Sequence, residues 1–594
     1  MRDAVKEKVL AELGVLRIGG RLDPSGAPLD GDHLVAGHTP LWAFEDPRFA
    51  RPFADGAPLF DPAPLPRDPE QALARCRLPV FLGAVRSRVF EAAMARRPTA
   101  LLVFEPEEER LEAFLAGFPA KTLVERGILC FLGDPAGLRP SLERLLPEDL
   151  FRKLGCPGFF VQDGLEQDRP GWVRDVRERM ELLCWRHRIY PVSGQFNSRG
   201  LPLRSITREL FFDQQRHAYE NAPRFHQGNL RQVRDALRGF PAVLIAAGPD
   251  LAERAEFLRA NRERAVLIAV NNALKPLQDL GVAPHFAVIN DNALVCARSF
   301  EGLEPLPETI LAAHCFSHAP SALFGRTFFF GAWRPEIFGA MPNLRIYGSV
   351  ITAALALARH LGCRSVVLAG VQMAGTDPWR LSYAPGSIHE TAQAPSRPLS
   401  GAWPQLCPAC AASGETLYTS LNFRDAALWF LDEIRATNTR CLNLSRQSLI
   451  HGPGVDLDEN PVLPKRPGLD KTLAALRGLP PVRRDAARVR GFLARERAVW
   501  ANTAGPLDQL LGQGGPGFTD AAMHVLEQLD RGNVSYLVQR FGDFDNRRFH
   551  SLVFESPDPE RREEGLRYFL TSVRDMAREF LGVLDKALES VPGR

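Results

Sequence analysis

Short apolar runs alternate with polar turns between residues 241 and 291, and their spacing predicts alternating strands and helices. Residues 243–247 form a continuous apolar run, which is typical of a parallel strand covered on both faces. The runs 265–270 and 285–289 repeat this pattern, and the segments between them have helical spacing. Units of this kind build a parallel sheet with right-handed crossovers, whose strands all end along one edge. The sequence therefore predicts an α/β domain with a ligand crevice at that edge.

Polar residues follow each of these three strands, where the predicted crevice lies. They are Gly248, Asp250, Asn271, Asn272, Asn290 and Asp291. Gly248 permits close backbone approach, and Asp250 stands where its carboxylate can cap the next helix, whose first N–H groups can hold a phosphate. Amide and carboxylate side chains suit a ribose and a base better than an apolar ligand. For Asn272 and Asn290, a helix-capping role explains the pattern equally well.

The same pattern returns about fifty residues later. Residues 344–347 are predicted as a further strand, and Gly348 and Ser349 open the helix that follows. Another apolar run at 365–369 predicts one more strand, and the loop after it carries Thr376 as a polar candidate. The sequence thus adds Gly348, Ser349 and Thr376 to the candidate binding residues.

Four motifs in this region resemble the motility accessory factor (Maf) glycosyltransferases. They are Gly-Pro-Asp-Leu from residue 248, Val-Asn-Asn-Ala-Leu-Lys-Pro-Leu from residue 270, Gly-Ser-Val-Ile-Thr from residue 348, and Tyr-Ala-Pro-Gly-Ser-Ile-His, which ends at His389. The resemblance covers residues 205–455 well and the flanking regions in outline. It implies a Rossmann-like central domain similar to bacterial sialyltransferases.

The resemblance also implies an activity. Members of this family transfer a nonulosonic acid, pseudaminic or legionaminic acid, from its CMP ester to Ser or Thr of flagellin. The CMP-sugar is then the donor substrate, flagellin is the protein partner, and no further cofactor or metal is expected. Such a reaction needs donors that hold the departing phosphate, for which Gly348, Ser349 and the turn after Gly248 are candidates. It also needs a base for the acceptor hydroxyl, and His389 is the candidate, because an imidazole titrates near neutral pH.

The chain departs from the family pattern at three places. Asp250 stands where Ser is usual, Met373 replaces an acidic residue, and residues 445–448 lack the expected glycines. A non-catalytic flagellin-binding chaperone therefore stays an alternative. So does an enzyme like the archaeal pterin diphosphokinases, which have a similar central domain. Such an enzyme would need ATP and a divalent ion, with Asp250, Asp291 and Asp377 as the available carboxylates.

Three domains are expected from the change of pattern along the chain. Residues 1–205 carry their own strand signals and predict an accessory α/β domain, in which Glu105 ends the second strand. The glycine-rich loop of a dinucleotide site is missing there, so a dinucleotide or methyl-donor site is the less favoured interpretation. The resemblance to the Maf proteins implies a docking or scaffold role for this domain. Residues 206–455 are the predicted Rossmann-like glycosyltransferase domain, and residues 456–594 have the three-and-four apolar spacing of a helical bundle.

Composition narrows the remaining possibilities. The 594 residues carry a net charge of +3 with basic and acidic residues interspersed, which argues against a nucleic-acid partner. No run of eighteen apolar residues and no signal-peptide pattern occurs, so a cytoplasmic protein without a membrane partner is expected. Ten cysteines over this length are consistent with reduced thiols. Cys407 and Cys410 have metal-like spacing, but no second ligand pair is near, and loop packing is favoured over zinc.

Overall fold

We describe a computed structural model of the chain. It describes residues 32–36, 41, 67–96, 98–118, 127–136, 138, 142, 157–189, 211–378, 380–390, 406–513, 517–531, 534–538 and 541–591. The chain divides into two compact units. The first contains the described residues up to 193 together with 373–381 and 393–437, and the second contains 194–372, 382–392 and 438–594. The three contiguous domains expected from the sequence stay a prediction.

The described residues form fifteen strands. These are β1 (His33–Val35), β2 (Leu78–Leu82), β3 (Leu101–Glu105), β4 (Ile128–Leu132), β5 (Pro157–Gln162), β6 (Ala242–Ile245), β7 (Val266–Val270), β8 (Phe286–Ile289), β9 (Leu306–His314), β10 (Phe324–Phe330), β11 (Ser365–Ala369), β12 (Cys407–Cys410), β13 (Thr416–Thr419), β14 (Arg440–Asn443) and β15 (Val455–Leu457).

The α-helices of the described residues number seventeen. These are α1 (Pro69–Arg75), α2 (Arg88–Ala95), α3 (Glu108–Ala116), α4 (Leu165–Asp168), α5 (Pro170–Ile189), α6 (Phe212–Asn221), α7 (Ala255–Ala260), α8 (Leu274–Asp279), α9 (Pro335–Phe338), α10 (Val350–His360), α11 (Leu421–Ala436), α12 (Leu469–Arg477), α13 (Ala486–Leu511), α14 (Phe518–Arg531), α15 (Val534–Val538), α16 (Asn546–His550) and α17 (Pro559–Ser590). None of them combines the length and the apolar character that are needed to cross a bilayer.

The first unit is built on a five-stranded sheet in the order β1-β5-β2-β3-β4. β5, β2, β3 and β4 are parallel, and β1 joins the edge in antiparallel orientation. Strands β2, β3 and β4 confirm the strand signals of this region, and Glu105 ends β3, the second of these three strands. Two apolar clusters cover the two faces of this sheet, and aromatic rings such as Phe81, Phe90 and Phe160 fill one of them.

Three arginine–carboxylate pairs join α5 to α11 within the first unit. Arg186 donates from Nε to Oδ2 of Asp425 at 2.8 Å, and both side chains are buried. Arg424 pairs through two nitrogens with both oxygens of Glu178. Arg179 binds Asp432 at 2.5 and 2.9 Å. A segment that is distant in sequence therefore completes the first unit through buried charges.

The second unit is built on an eight-stranded sheet in the order β10-β9-β8-β7-β6-β11-β14-β15, in which every neighbouring pair is parallel. From β6 the chain builds outward through β7 to β10 on one side, and through β11 to β15 on the other. The order therefore reverses between β6 and β11, which is the place where such sheets bind ligands. The predicted strands at 243–247, 265–270, 285–289 and 365–369 are confirmed by β6, β7, β8 and β11.

One predicted strand of this region is wrong. Residues 344–347 form no strand, and their side chains are half-buried or exposed, because no neighbouring strand pairs with them. The sheet is instead extended by β9 and β10, which the sequence analysis did not identify. Both end in fully buried apolar segments, 310–313 and 328–330, as expected for interior parallel strands.

The helices after residue 468 confirm the helical pattern of the C-terminal part. α13 packs along α17, and α17 also packs on α6 of the second unit. Tyr219 of α6 donates its hydroxyl to Glu496 at 2.7 Å and accepts the indole N–H of Trp500 at 3.0 Å. The ring of Phe580 packs against both Tyr219 and Trp500. The α/β fold class with a helical C-terminal part is therefore correct.

Candidate functional site

The reversal point of the large sheet is closed by backbone contact. Gly248 follows β6 and donates its N–H to the carbonyl of Gly370 at 2.8 Å. A Cβ atom on Gly248 would lie 2.4 Å from that carbonyl oxygen and 2.4 Å from Oε1 of Gln372. Gly370 has a φ of +65°, and a Cβ there would lie 2.3 Å from the carbonyl of Ala246. The close approach expected at Gly248 is thus made by the protein's own backbone.

Asp250 lies at the same point but does not cap a helix, contrary to the prediction. Residues 251–254 form a 3₁₀ turn, and the Asp250 side chain makes no capping hydrogen bond to it. The carboxylate is buried instead, with Oδ2 3.5 Å from Nε of Arg254. Burial raises the pKa of the Asp250 carboxyl, while Arg254 and the Ser445 hydroxyl act in the opposite direction. The negative charge at this position is therefore partly offset by the protein itself.

The asparagines behind β7 and β8 cap no helix, and Asn271 and Asn272 behind β7 are held by side-chain hydrogen bonds. Asn271 is buried and donates from Nδ2 to Oδ1 of Asn272 at 3.1 Å and to Oγ of Ser299 at 3.0 Å. Its own Oδ1 is buried without a hydrogen bond, and so is Oδ1 of Asn290. Asp291 accepts the backbone N–H of Ala293 at 3.0 Å. Two amide oxygens at this edge thus have unused acceptor capacity, which a ligand donor can satisfy.

The loop 382–390 lies over these strand ends. Ala384 donates its N–H to the carbonyl of Ala247 at 2.9 Å, which fixes the loop to the end of β6. Gly386 has a φ of +82°, and a Cβ there would lie 3.0 Å from Oδ2 of Asp279 on α8. Its N–H is bound by the Glu390 carboxylate at 2.7 Å, within the same loop. The loop is therefore anchored at β6 and rests on the helix that follows β7.

His389 stands at the end of this loop, half-buried and close to Asp291. Its ring packs on that of Tyr383, with centroids 5.1 Å apart. Burial lowers the pKa of His389, and the charge of Asp291 acts in the opposite direction. Burial and a hydrogen bond to Asp291 also raise the pKa of the Cys296 thiol. The structure thus brings a neutral imidazole and a carboxylate together at the carboxyl edge of β8.

Gly348 and Ser349 do precede a helix, as predicted. Gly348 has a φ of +64°, and Ser349 is the residue before α10, but its hydroxyl makes no capping bond. Thr352 instead closes the turn before α10, because its Oγ1 accepts the N–H of Tyr347 at 2.8 Å and lies 2.7 Å from the carbonyl of Ser349. The N–H of Tyr347 lies outside the helix, so this contact is not a helix cap. Thr376 is exposed and belongs to the first unit, whereas the other candidates belong to the second.

Two comparisons with known proteins give matches. Residues 216–378 match a family model described as 6-hydroxymethylpterin diphosphokinase MptE-like. Among solved structures, the chain is similar to a MAf glycosyltransferase from Magnetospirillum magneticum AMB-1, at 14% identity and a TM-score of 0.42, over 99% of this chain and 93% of that one. No curated protein matches it in sequence.

The corresponding crevice of the first unit is filled by its own side chains. Glu105 is fully buried and accepts the N–H groups of Ala84 at 2.7 Å and Glu107 at 3.0 Å. Imidazole nitrogens of His33 contact Ser87 Oγ at 2.6 Å and the Gly83 carbonyl at 3.1 Å. The Glu105 carboxylate therefore secures the loop after β2, and a ribose contact for it is not supported.

Cys407 and Cys410 lie in strand β12 and not in a loop. Cys407 is buried in an apolar cluster with Trp185 and Leu421, and its thiol donates to the carbonyl of Thr419 at 3.2 Å. Cys410 is exposed, and its thiol bonds to the carbonyl of Ala411. Because the two side chains have such different surroundings, the packing role expected from the sequence is favoured over zinc.

Several residues that shape the site were not identified from the sequence. They are Tyr383, Cys296, Ser299, Gln372, Arg254 and Ser445. Tyr383 lies inside a quoted motif, so its contact with His389 was within reach of sequence reasoning. Arg254 contacts Asp250 from only four residues away, so this contact was also within reach of sequence reasoning. Ser445, Gln372 and Ser299 act through contacts between distant segments, such as Ser445 with Asp250, and no local pattern marks them.

Proposed function

We propose that this chain is a glycosyltransferase that moves a nonulosonic acid of the pseudaminic or legionaminic type from its CMP ester to Ser and Thr hydroxyls of flagellin. The reaction is sialyltransferase-like, takes place in the cytoplasm, needs no further cofactor, and supports flagellum assembly and motility. The sequence motifs support this proposal, and one observation carries it. That observation is the position of His389 beside Asp291, in a loop anchored over the ends of the strands.

His389 is the proposed general base. A lowered pKa keeps the imidazole neutral at physiological pH, and a neutral imidazole can accept the proton of the acceptor hydroxyl as the new bond forms. Asp291 stabilises the imidazolium that results, because a nearby negative charge favours the protonated ring. The packing of Tyr383 against the ring limits its rotation. Each group thus has a defined part in moving one proton.

The departing CMP needs a second set of contacts. We assign its phosphate to the turn of Gly348 and Ser349 and to the first turn of the eleven-residue helix α10, since the beginning of a helix favours an anion. The N–H of Ser349 itself is bonded to the carbonyl of Tyr347 at 2.7 Å, so the helix turn carries most of this contact. We assign the ribose and the base to Asn271, Asn272 and Asn290, two of which have unused amide oxygens. The turn after Gly248 contributes less to phosphate binding than the sequence suggests, because the N–H groups of Gly248 and Leu251 are already hydrogen-bonded to backbone carbonyls.

The test is the intact mass of flagellin co-expressed with this chain and a pathway that makes a CMP-nonulosonic acid. Added sugar masses with the wild-type chain support the proposal. We expect His389→Ala to lower the transfer rate by about 10²–10⁴-fold while CMP binding is kept. His524→Ala, an exposed histidine of α14, is the matched control and should transfer normally. Full transfer by His389→Ala would contradict the base assignment.

The flagellin co-expression, together with a CMP-binding assay on the wild type and Asn272→Ala, separates the transferase from a chaperone. If flagellin co-purifies unmodified with the wild-type chain, and neither the wild type nor Asn272→Ala binds CMP, the chaperone is correct. If CMP binds to the wild type and binds more weakly to Asn272→Ala, the donor site is supported independently of the acceptor.

A pterin diphosphokinase-like activity is the second candidate, and the family match over residues 216–378 favours it. It would need carboxylates for a divalent ion, and Asp250 and Asp291 are the two that lie at strand ends of the second unit. Asp377 belongs to the first unit. Incubation with ATP, Mg²⁺ and a hydroxymethylpterin, followed by phosphorus NMR, tests this candidate directly. AMP release that depends on the pterin would favour it over the transferase.

A further inference from the structure

A second group of titratable side chains lies at the end of β9. His217 and Glu220 are on α6, and His318 is in the loop after β9. One ligand atom from each lies within 4.8 Å of the other two. The rings of His217 and His318 have centroids 5.9 Å apart. Two histidines and a carboxylate form a donor set that binds zinc in three-ligand sites.

The orientation of His217 is fixed by its second nitrogen. Nδ1 lies 3.2 Å from the carbonyl oxygen of Phe316. A carbonyl can only accept, so Nδ1 carries the proton and Nε2 carries the lone pair. Metal-binding histidines are oriented in this way by an outer hydrogen bond.

The loop that carries His318 is tied to α6 on both sides of that residue. Asn221 donates from Nδ2 to the carbonyl of Ser317 at 2.8 Å, and Arg224 donates to the carbonyl of Ala319 at 2.7 Å. His318 itself is half-buried, so its ring keeps a path to solvent. The backbone on either side of this third ligand is therefore held in place before any ion arrives.

Glu220 has one oxygen engaged and one available. Oε1 accepts from Nε of Arg216 at 3.1 Å, and Arg216 is also paired with Glu579 at 2.7 Å. Arg224 is the other nearby cation, and its guanidinium is directed at backbone carbonyls and at Asn221. A ligating carboxylate is commonly supported by such an outer hydrogen bond. The positive charges of Arg216 and Arg224 disfavour the binding of a cation here. Their effect is reduced because both guanidinium groups already have carboxylate or carbonyl partners.

We infer that His217, Glu220 and His318 bind one divalent ion of the zinc class. Zinc holds nitrogen and oxygen ligands at about 2 Å, which places them roughly 3.3 Å apart around a tetrahedral ion. Ligand atoms that lie up to 4.8 Å apart therefore need to approach one another by up to about 1.5 Å, and the partly exposed Glu220 and His318 can do so. Three protein ligands leave the fourth position of a tetrahedral ion for water or another small ligand.

This site would lie close to the proposed transfer site without forming part of it. Asp213, one helical turn before His217, accepts the N–H of Leu294 at 3.3 Å, and Leu294 follows Asp291 by three residues. The ion would therefore join α6 to the edge of the sheet. The inference does not depend on the sugar-transfer reaction, because binding is measured without any substrate.

The test is a titration of the metal-free full-length chain with Co²⁺, followed by displacement with Zn²⁺. We expect one equivalent of Co²⁺ to give a visible absorption band that Zn²⁺ removes. Glu220→Gln and His318→Ala should each weaken binding at least tenfold, since loss of even an outer partner of a ligand costs about 10–100-fold. Glu220→Gln keeps the side-chain shape and serves where His318→Ala fails to fold. His524→Ala is again the control and should bind as the wild type does.

Three results would overturn the inference. The first is a wild-type chain that takes up no Co²⁺ and no Zn²⁺. The second is equal binding by the wild type and by both cluster variants, which would place the ion elsewhere. The third is a sulfur-to-metal charge-transfer band, which would identify cysteine ligands.

Discussion

The buried pair Arg186–Asp425 offers the sharpest test of how the first unit is held together. Replacing Asp425 by Leu leaves the Arg186 guanidinium buried, with Asn422 Oδ1 at 3.1 Å as a neutral partner. Breaking a buried ion pair in this way costs about 3–5 kcal/mol, because one charge stays uncompensated in a medium of low polarity. For a unit of this size, each kcal/mol lowers the midpoint of thermal unfolding by about 2–4 °C. We therefore expect a fall of roughly 6–20 °C.

The measurement is scanning calorimetry together with hydrogen exchange of the peptides that contain α5 and α11. Hydrogen exchange is needed because a chain with two units need not unfold in a single step. The double variant Arg186→Met with Asp425→Leu should recover most of the loss, since an apolar pair of similar volume removes the uncompensated charge. Glu70→Gln is the matched control, because Glu70 and its partner Arg88 are both exposed and the change should cost no more than about 1 kcal/mol.

Either of two results would refute this reasoning. A single variant that unfolds within about 2 °C of the wild type would mean that the pair contributes little. A double variant as unstable as the single one would mean that the loss comes from shape, and not from an unpaired charge.

Three further predictions follow from individual contacts. Asp291→Asn should move the acid limb of the pH profile of kcat/KM for sugar transfer to lower pH, because loss of the carboxylate lowers the pKa of the base His389 further. An unchanged acid limb would exclude electrostatic coupling between Asp291 and His389. Gly370→Ala should lower the free energy of unfolding by about 1–3 kcal/mol in urea titration, because the new methyl group meets the carbonyl of Ala246 at a positive φ, and a neutral result would contradict the geometry. Burial lowers the pKa of His285 to about 3, so as the pH drops from about 6.5 towards 3 the unfolded chain takes up a proton that the folded chain does not, and stability falls. His285→Asn should make this fall shallower in pH-dependent thermal melts. Equal slopes for the variant and the wild type would contradict the prediction.

The sequence predicts the parallel strands of both units where a buried run stands between clear turns. β6, β7, β8 and β11 are all of this kind, because strands covered on both faces must be apolar throughout. Residues 344–347 alternate apolar side chains with an arginine, and none of the strands in the described part of the chain pairs with them. Pairing depends on distant segments and cannot be read from four residues.

The same limit applies to the site. The position of Asp250 at a strand end follows from the pattern, but its partners do not, because Ser445 is nearly two hundred residues away in sequence. The proximity of His389 to Asp291 likewise depends on the hydrogen bond from Ala384 to Ala247, which anchors the loop. Sequence spacing predicts which edge of the sheet is polar. It does not determine which of these groups bond to each other and which keep capacity for a ligand.

The contact between α5 and α11 has a consequence for the order in which this protein is made. A ribosome completes α5 more than 200 residues before it reaches α11, so Glu178, Arg179 and Arg186 emerge long before their partners exist. During that interval the charged side chains of α5 lack the partner charges that α11 supplies in the folded protein. A fragment that ends near residue 205 would lack these partner charges permanently. Adding residues 406–437 as a second polypeptide should supply the missing carboxylates and arginine and stabilise the fragment.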